Sequence, residues 1–434
     1  MQRTITHSDG LASNVLRFSG DTLNMPPAKR SPIVSAVTGD FIAEMIYRPD
    51  EKRTAFAVAR DGKISIESEV PAGADEIWVP YSPDNNLIQR RCVVLPDKPE
   101  EYGSKSKLIE DIQSYIHRYV ELSPLFERIA AHYVLLTWVF DAFNEIPYLR
   151  FRGDYGSGKT RALLVLGSIA YRGFFASGAS TVSPIFHTLD SFGGTLVLDE
   201  ADLRFSDKTA DLVKILNNGT VRGLPVLRTL QNRNKEFNPA AFSVFGPKLI
   251  AMRGSFRDLA LESRFLTEDM AKGSLRADIP IQMPDAQALE AQTLRNRLLQ
   301  FRLMKLASIK PRPETLIAGI DPRLNQMAMP LLSLVEDAEL RDQISHYLRA
   351  RHLELGDGMK SAPEARVLAA LRSTFEQSDR TLIPLSKIVE AANASDTGDR
   401  VSARDAGHIL RSAAIALRKS HGAIVAVRPE STLP

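Results

Sequence analysis

Pro147-Tyr148-Leu149-Arg150-Phe151-Arg152-Gly153-Asp154-Tyr155-Gly156-Ser157-Gly158-Lys159-Thr160 is the stretch whose reading decides the fold. Tyr148 to Phe151 is apolar enough for a buried strand, and Arg161 to Ile169 has the pattern of a helix. Between them Gly153 to Thr160 spells G-x-x-x-x-G-K-[ST], the phosphate-binding loop, in its strand–loop–helix setting. The chemistry follows from the residue types. Glycines let successive backbone N–H groups turn inward toward phosphate oxygens, and the helix N-terminus adds partial positive charge. All eight residues, Gly153, Asp154, Tyr155, Gly156, Ser157, Gly158, Lys159 and Thr160, are therefore candidates for nucleotide binding. Lys159 would reach the β- and γ-phosphates, and the Thr160 hydroxyl would hold Mg²⁺.

Some forty residues later, Gly194-Thr195-Leu196-Val197-Leu198-Asp199-Glu200 is an apolar strand ending in two carboxylates. This is the Walker B pattern. Asp199 is expected to hold Mg²⁺ through water, and Glu200 to orient and polarise the attacking water. The two motifs together predict a protein that binds and hydrolyses ATP with Mg²⁺. The letters Asp199-Glu200-Ala201-Asp202 also occur in DEAD-box helicases. The motif here lies too near the P-loop, and no Ser-Ala-Thr or His-Arg-x-Gly-Arg element follows it.

Composition sets outer bounds. With 434 residues, 44% hydrophobic and 25% charged, the chain has room for two to four units with real cores. Its 55 basic and 52 acidic residues leave a net charge of only +3, so nucleic-acid contact must come from local patches. A single cysteine, Cys92, excludes an internal disulfide framework. The most apolar run, His132 to Phe143, is too short to span a bilayer, and the first residues lack the apolar core of a signal peptide. A cytoplasmic protein without a membrane partner is the expectation.

Around the central motifs the pattern changes several times. Residues 1–35 are polar and end in prolines, which predicts a flexible arm. Residues 36–96 carry short runs at Ile42–Tyr47, Ala55–Ala59, Ile64–Ser68, Glu76–Tyr81 and Arg91–Leu95, predicting a β-rich module. Residues 104–270 are read as the α/β ATPase core, led in by helices over Ser104–Val120 and Pro124–Phe143. Tyr133 and Trp138 on the second of these are expected in the core, with adenine contact as the alternative. Ala176 to Phe186 reads as a loop and short strand. Asn218 to Thr229 reads as a hairpin or loop carrying Arg222 and Arg228. Lys248–Met252 is another buried strand, with Arg253 and Ser255 at its end. Helices at Ala286–Leu306, Arg323–Val335 and Ala338–Leu355 fall within a helical segment over residues 271–358. In the last unit, residues 363–434, three helices precede a hairpin around His421-Gly422. The third helix would present Arg404, His408 and Arg411, and the hairpin Arg418, Lys419 and His421, as DNA-contacting groups.

The order of P-loop, Walker B, hairpin, strand and Ser263-Arg264-Phe265 resembles an AAA+ ATPase. In particular it resembles the minichromosome maintenance (MCM) helicases and the MCM-like replicative helicases of bacterial mobile elements. The resemblance implies an AAA+ P-loop core with a helical lid, preceded by the β-rich module and followed by a winged helix-turn-helix. It implies that Arg264 is an arginine finger serving a neighbouring subunit, so that each ATP site needs two copies and the assembly is a ring, usually of six. It implies a sensor 1 at Arg253 or Ser255, and a sensor 2 arginine at Arg323, with Arg295 the rival. Arg222 and Arg228 would then line the pore and grip DNA during replication of an integrative element, phage or plasmid. A replication initiator or helicase loader that uses ATP as an assembly switch, and an ATP-dependent transcriptional regulator, are the two alternatives.

Overall fold

The computed structural model describes residues 28–428, except 74, 178–179, 200–206, 232–236, 257, 272–275, 362, 379, 395–399, 414 and 421. Most of the expected arm, Glu200 and His421 thus lie outside the described residues.

The chain opens with strands β1 (Lys29–Ile33), β2 (Ser35–Val37), β3 (Ile42–Arg48), β4 (Arg53–Arg60), β5 (Lys63–Glu67), β6 (Val70–Pro71) and β7 (Glu76–Pro80). They form an antiparallel sheet in the order β2-β3-β4-β5 and a smaller one in the order β1-β7-β6. The arm accordingly ends sooner than its prolines suggested, because β1 pairs with β7 even though it contains Pro32. Edge strands tolerate such a residue. The Arg91–Leu95 run is not a strand. A short helix α1 (Asn86–Gln89) precedes it, and only Val93 bridges to Phe174.

Two helices follow, α2 (Lys105–Tyr119) and α3 (Pro124–Thr137), with Ser104 and Ser123 as N-caps. The expected single helix to Phe143 breaks after Thr137, and a 3₁₀ turn spans Phe140–Ala142. Next come β8 (Tyr148–Arg152), α4 (Lys159–Ile169), β9 (Phe174–Ser177), α5 (Val182–Phe192), β10 (Leu196–Asp199) and α6 (Asp207–Asn218). The expected short strand is present as β9, which ends at Ser177, but α5 takes the rest of the stretch from Val182 onward. Its apolar residues Ile185, Phe186, Leu189 and Phe192 recur at helical spacing and are buried. A hairpin of β11 (Val226–Gln231) and β12 (Phe237–Phe242) leads to β13 (Lys248–Met252), α7 (Leu259–Glu262) and β14 (Phe265–Asp269).

These strands build a parallel five-stranded sheet in the order β14-β8-β13-β10-β9. Parallel strands need helices on both faces, and the apolar side chains supply them. Residues of α2, α3 and α4 share one core cluster with β8 and β13, while α5 and α6 pack with the other face. The long helix α8 (Asp285–Lys305) lies over α2 and α4. It also covers β3 and β4, so Ile42 and Ile46 join the first cluster and Ala43 and Met45 the second.

Helices α9 (Pro322–Leu332) and α10 (Ala338–Ser361) complete the helical segment. The last residues form α11 (Pro363–Glu376), β15 (Leu382–Pro384), α12 (Leu385–Ala392), α13 (Ala403–Ser412), β16 (Leu417–Ser420) and β17 (Ala423–Val427), with sheet order β15-β17-β16. They bury a core of their own, including Val367, Leu371, Phe375, Ile388 and Leu410. Among the described residues, no helix is long and apolar enough to cross a membrane.

Candidate nucleotide site and its distant arginines

The loop between β8 and α4 takes its shape from three glycines used in two ways. Gly156 and Gly158 have φ of 80° and 90°, where a side chain would be strained. Gly153 is required by crowding instead. A Cβ there would lie 2.4 Å from the Met270 carbonyl oxygen and 2.7 Å from Ser157 Oγ. Gly158 caps α4, so Lys159 and Thr160 open the helix. Lys159 Nζ donates to the Asp154 carbonyl at 2.6 Å, curling back over the loop. Tyr155 at the tip is 80% exposed.

Sheet topology brings the second motif alongside. β13 separates β8 from β10, and all three run parallel, so their C-terminal ends face the same side. There the Thr160 hydroxyl donates to Asp199 Oδ2 at 2.8 Å. Two oxygens from sequence positions 39 residues apart thus meet at the mouth of the loop. Ligands of open α/β sheets meet strands at this end. The residues fit the group they are expected to hold: glycine-bent loop, lysine, hydroxyl and carboxylate converge on one spot. Arg253 and Ser255 follow β13 at the same end, and Ser255 Oγ accepts from Arg152 Nη1 at 2.6 Å.

Arg264 lies at the other end of the sheet. It immediately precedes β14, whose first residue pairs with Tyr148 and whose last pairs with Arg152 beside the loop. Five residues of strand separate the two ends, roughly 16 Å. The Arg264 guanidinium donates to Asn217 Oδ1 at 2.8 Å and to the Asn217 carbonyl. Neither Glu262 nor Glu268 is its partner. Glu268 accepts from the Ser123 hydroxyl and amide. Glu262 is buried and takes a two-pronged contact from Arg150 plus a 2.7 Å bond from Arg351 on α10.

That Arg150–Glu262–Arg351 cluster was missed in the sequence. Burial would raise the Glu262 pKa, but Arg150 hydrogen bonding and charge outweigh it and hold the carboxyl below its ordinary range. Phe256 N–H adds a further bond to it. The cluster pins α7, and with it Ser263-Arg264-Phe265, to β8 and α10. A signal was present: an arginine inside the apolar run Tyr148–Phe151 must be paired if the strand is buried.

Arg323 starts α9 and is close enough for its charge to lower the Arg264 pKa, after burial, which is the larger cause. The rival Arg295 is buried against the end of α4, donating to the Ser168 and Leu95 carbonyls. Burial lowers its pKa to about 10. It is committed there and does not reach the loop. Tyr133 and Trp138 are fully buried, with Tyr133 Oη on the Pro147 and Lys248 carbonyls and Trp138 Nε1 on Ile169. Adenine contact by either is thereby excluded.

The hairpin expected at Asn218–Thr229 begins later. Arg222 sits on the turn before it, donating to the Asp141 and Phe143 carbonyls over the Phe245 ring. Arg228 is in β11, paired with Asp211 at 3.1 Å and set over Phe186. Residues 232–236, between β11 and β12 in sequence, lie outside the described residues. In the last unit Arg404, His408 and Arg411 are exposed at helical spacing on α13, and Arg418 and Lys419 are exposed on β16.

No protein-family model matches the sequence, and no curated protein does. Solved structures are similar to this chain, among them the following three. SCCmec type IV Cch, described as an active helicase, is 13% identical over 92% of this chain and 93% of that one, with a TM-score of 0.36. A full-length MCM homolog from Methanopyrus kandleri is 12% identical over 74% and 75%, with a TM-score of 0.39. The NrS-1 C-terminal region is 12% identical over 89% and 96%, with a TM-score of 0.32.

Proposed function

We propose that the chain is an ATP-driven DNA helicase or translocase of the AAA+ type that works as a closed ring of copies. One observation carries the reading. Arg264 sits at the end of the sheet opposite the phosphate-binding loop, with Arg323 beside it, so neither can serve the chain's own nucleotide. A neighbour that set its loop against this end would receive both arginines. Such head-to-tail contacts close into rings when the rotation allows, and the MCM-like resemblance favours six copies.

Within one site, the loop amides and Lys159 would hold the phosphates of ATP, and Thr160 with Asp199 would hold Mg²⁺. The bound metal ion would supply charge neutralisation at the phosphates. Glu200, one residue beyond Asp199, would orient the attacking water. Arg264 would stabilise charge developing on the transferred group. Arg253 or Ser255 would sense the γ-phosphate from the neighbouring strand end.

In this reading residues 36–96 are an accessory β module, 104–270 the ATPase core, 271–358 the lid and 363–434 a winged-helix DNA-binding unit. Arg228 would exchange Asp211 for a DNA phosphate, one anion for another, and Arg222 would follow from its neighbouring turn. Exposed Arg404, His408, Arg411, Arg418 and Lys419 would position the ring on DNA. Replication of a mobile element, phage or plasmid is the process that the resemblance implies.

Mixing variants tests the shared site. Lys159→Ala should lose nucleotide binding at the phosphate loop, and Arg264→Ala should bind ATP there yet lose at least about a hundredfold in turnover, in line with arginine fingers elsewhere. Combined, the two should recover part of the activity, since each supplies what the other lacks. Mixtures as inactive as their components would overturn the reading.

A further inference from the structure

A cavity of about 510 Å³ opens at the far end of α8 from the nucleotide loop. Arg161, in the first turn of α4, donates to the Pro280 and Ile281 carbonyls just before α8 begins. The cavity is lined by Lys305 at the helix's other end. The length of α8, 21 residues or roughly 30 Å, separates the two places. The cavity therefore belongs to no part of the site described above.

Its lining is of two kinds. Tyr102 and Phe301 supply aromatic lining, their rings edge to face at 5.7 Å, and Ile309 and Leu334 add aliphatic lining. The lining also carries cations: Lys305 ends α8, Lys310 and Arg312 follow it, and Lys105 comes from the start of α2, against the carboxylates of Glu314 and Glu336. Lys105 is held by Glu336 at 2.6 Å. The Lys305 and Lys310 ammonium groups are exposed and make no hydrogen bond or ion pair with the described residues. Helix α2 starts at the cavity, with Ser104 as its cap, and adds the partial positive charge of a helix N-terminus. Two lysines without a partner among the described residues, a third cation, a helix start and aromatic rings lining one cavity are complementary to a molecule that carries both phosphate and a ring.

We propose that this cavity is a second ligand site that takes a small phosphate ester bearing a planar ring, of the nucleotide class, independently of the P-loop. Its volume suits one such molecule. The phosphates would lie among Lys305, Lys310 and the first turn of α2, and the ring would lie against Tyr102.

ADP binding to the full chain, measured by equilibrium dialysis, tests this. Wild type should bind two ADP per chain, and Lys159→Ala should keep one. Lys305→Ala combined with Lys310→Ala should weaken that remaining ADP at least tenfold. Both lysines are exposed, so folding is not at stake, and Arg312→Ala provides an independent check in the same direction. Pyrophosphate should displace the remaining ADP but bind more weakly, because it leaves the aromatic lining unused. No ADP on Lys159→Ala, or ADP indifferent to the lysine variants, would overturn the proposal. So would pyrophosphate binding as tightly as ADP, or a single-stranded oligonucleotide binding at these lysines where ADP does not. None of these outcomes bears on the shared P-loop site, which the mixing experiment decides separately.

Discussion

Lys248, at the foot of β13, is fully buried, and its ammonium donates to the Val244 and Gly246 carbonyls at 3.0 Å, above the Tyr148 ring. Burial pushes its pKa down to about 7 from an ordinary 10.5. Between those values the unfolded chain binds a proton that the folded chain does not, so stability rises with pH through that window. Below pH 7 both states are protonated and the folded protein bears the full burial penalty. Lys248→Met removes the titration. The stability of wild type relative to that variant should therefore climb from pH 7 toward pH 10, by at most about 1.4 kcal/mol per pH unit. Paired denaturation curves at pH 6, 8 and 9.5 measure it, and curves with a constant gap would show that Lys248 titrates alike in both states.

At the scale of elements, the informative feature is a charge cluster that joins parts of the chain far apart in sequence. Glu44 on β3 is buried and accepts from Arg302 of α8 at 2.6 Å, from Arg172 and from Tyr171 Oη, while Arg302 also grips Asp141. Burial alone would raise the Glu44 pKa, but Arg302 and Arg172 together hold it below its ordinary range. Removing the carboxylate would leave two guanidiniums buried with too little countercharge. Glu44→Ala should destabilise the fold by about 3–5 kcal/mol, as broken buried pairs do, and Glu44→Gln by less. Chemical denaturation would show it, and a loss under 1 kcal/mol would mean that water reaches the cluster. This cluster also explains what the sequence could and could not reveal. β8, β10, β13 and α4 were legible because each is a short apolar run or periodic segment next to a motif of fixed spacing. Helix α5 was hidden by Pro184 and Ser183 near its start, which imitate a loop, although proline is tolerated in a helix's first turn. The role of Glu44 could not be read at all. Its partners Tyr171, Arg172 and Arg302 lie between 127 and 258 positions away, and no local pattern encodes such a meeting. The site shows the same division: the loop residues were legible one by one, but the placement of Arg264 at the opposite end of the sheet follows only from strand order.

Across the whole molecule, the proposed motor needs its DNA contacts on a part that can be set apart from the ATPase sheet. The last unit meets that need, because α11 to β17 close around their own core. Ser402 caps α13 by accepting the Asp405 amide, fixing the helix start, and Ala406 and Leu410 face inward. Arg404, His408 and Arg411 are thereby turned to solvent on one stripe, beside Arg418 and Lys419 of β16. With a net charge of only +3 over the whole chain, the proposed affinity for DNA would have to be concentrated in such a stripe. If it meets the backbone, each arginine displaces about one condensed counterion, and the salt dependence of binding counts them. Replacing Arg404 and Arg411 together with alanine should weaken duplex binding at low salt. It should also flatten the plot of log affinity against log salt by roughly two units of slope. Fluorescence anisotropy with labelled duplex at four salt concentrations would read both effects. An unchanged slope and affinity would assign this face to a protein partner, and the proposed ring would then have to hold DNA through the β11–β12 hairpin alone. The same titration on Arg228→Ala would show whether that hairpin carries its share, as a slope lower by about one if Arg228 trades Asp211 for a phosphate.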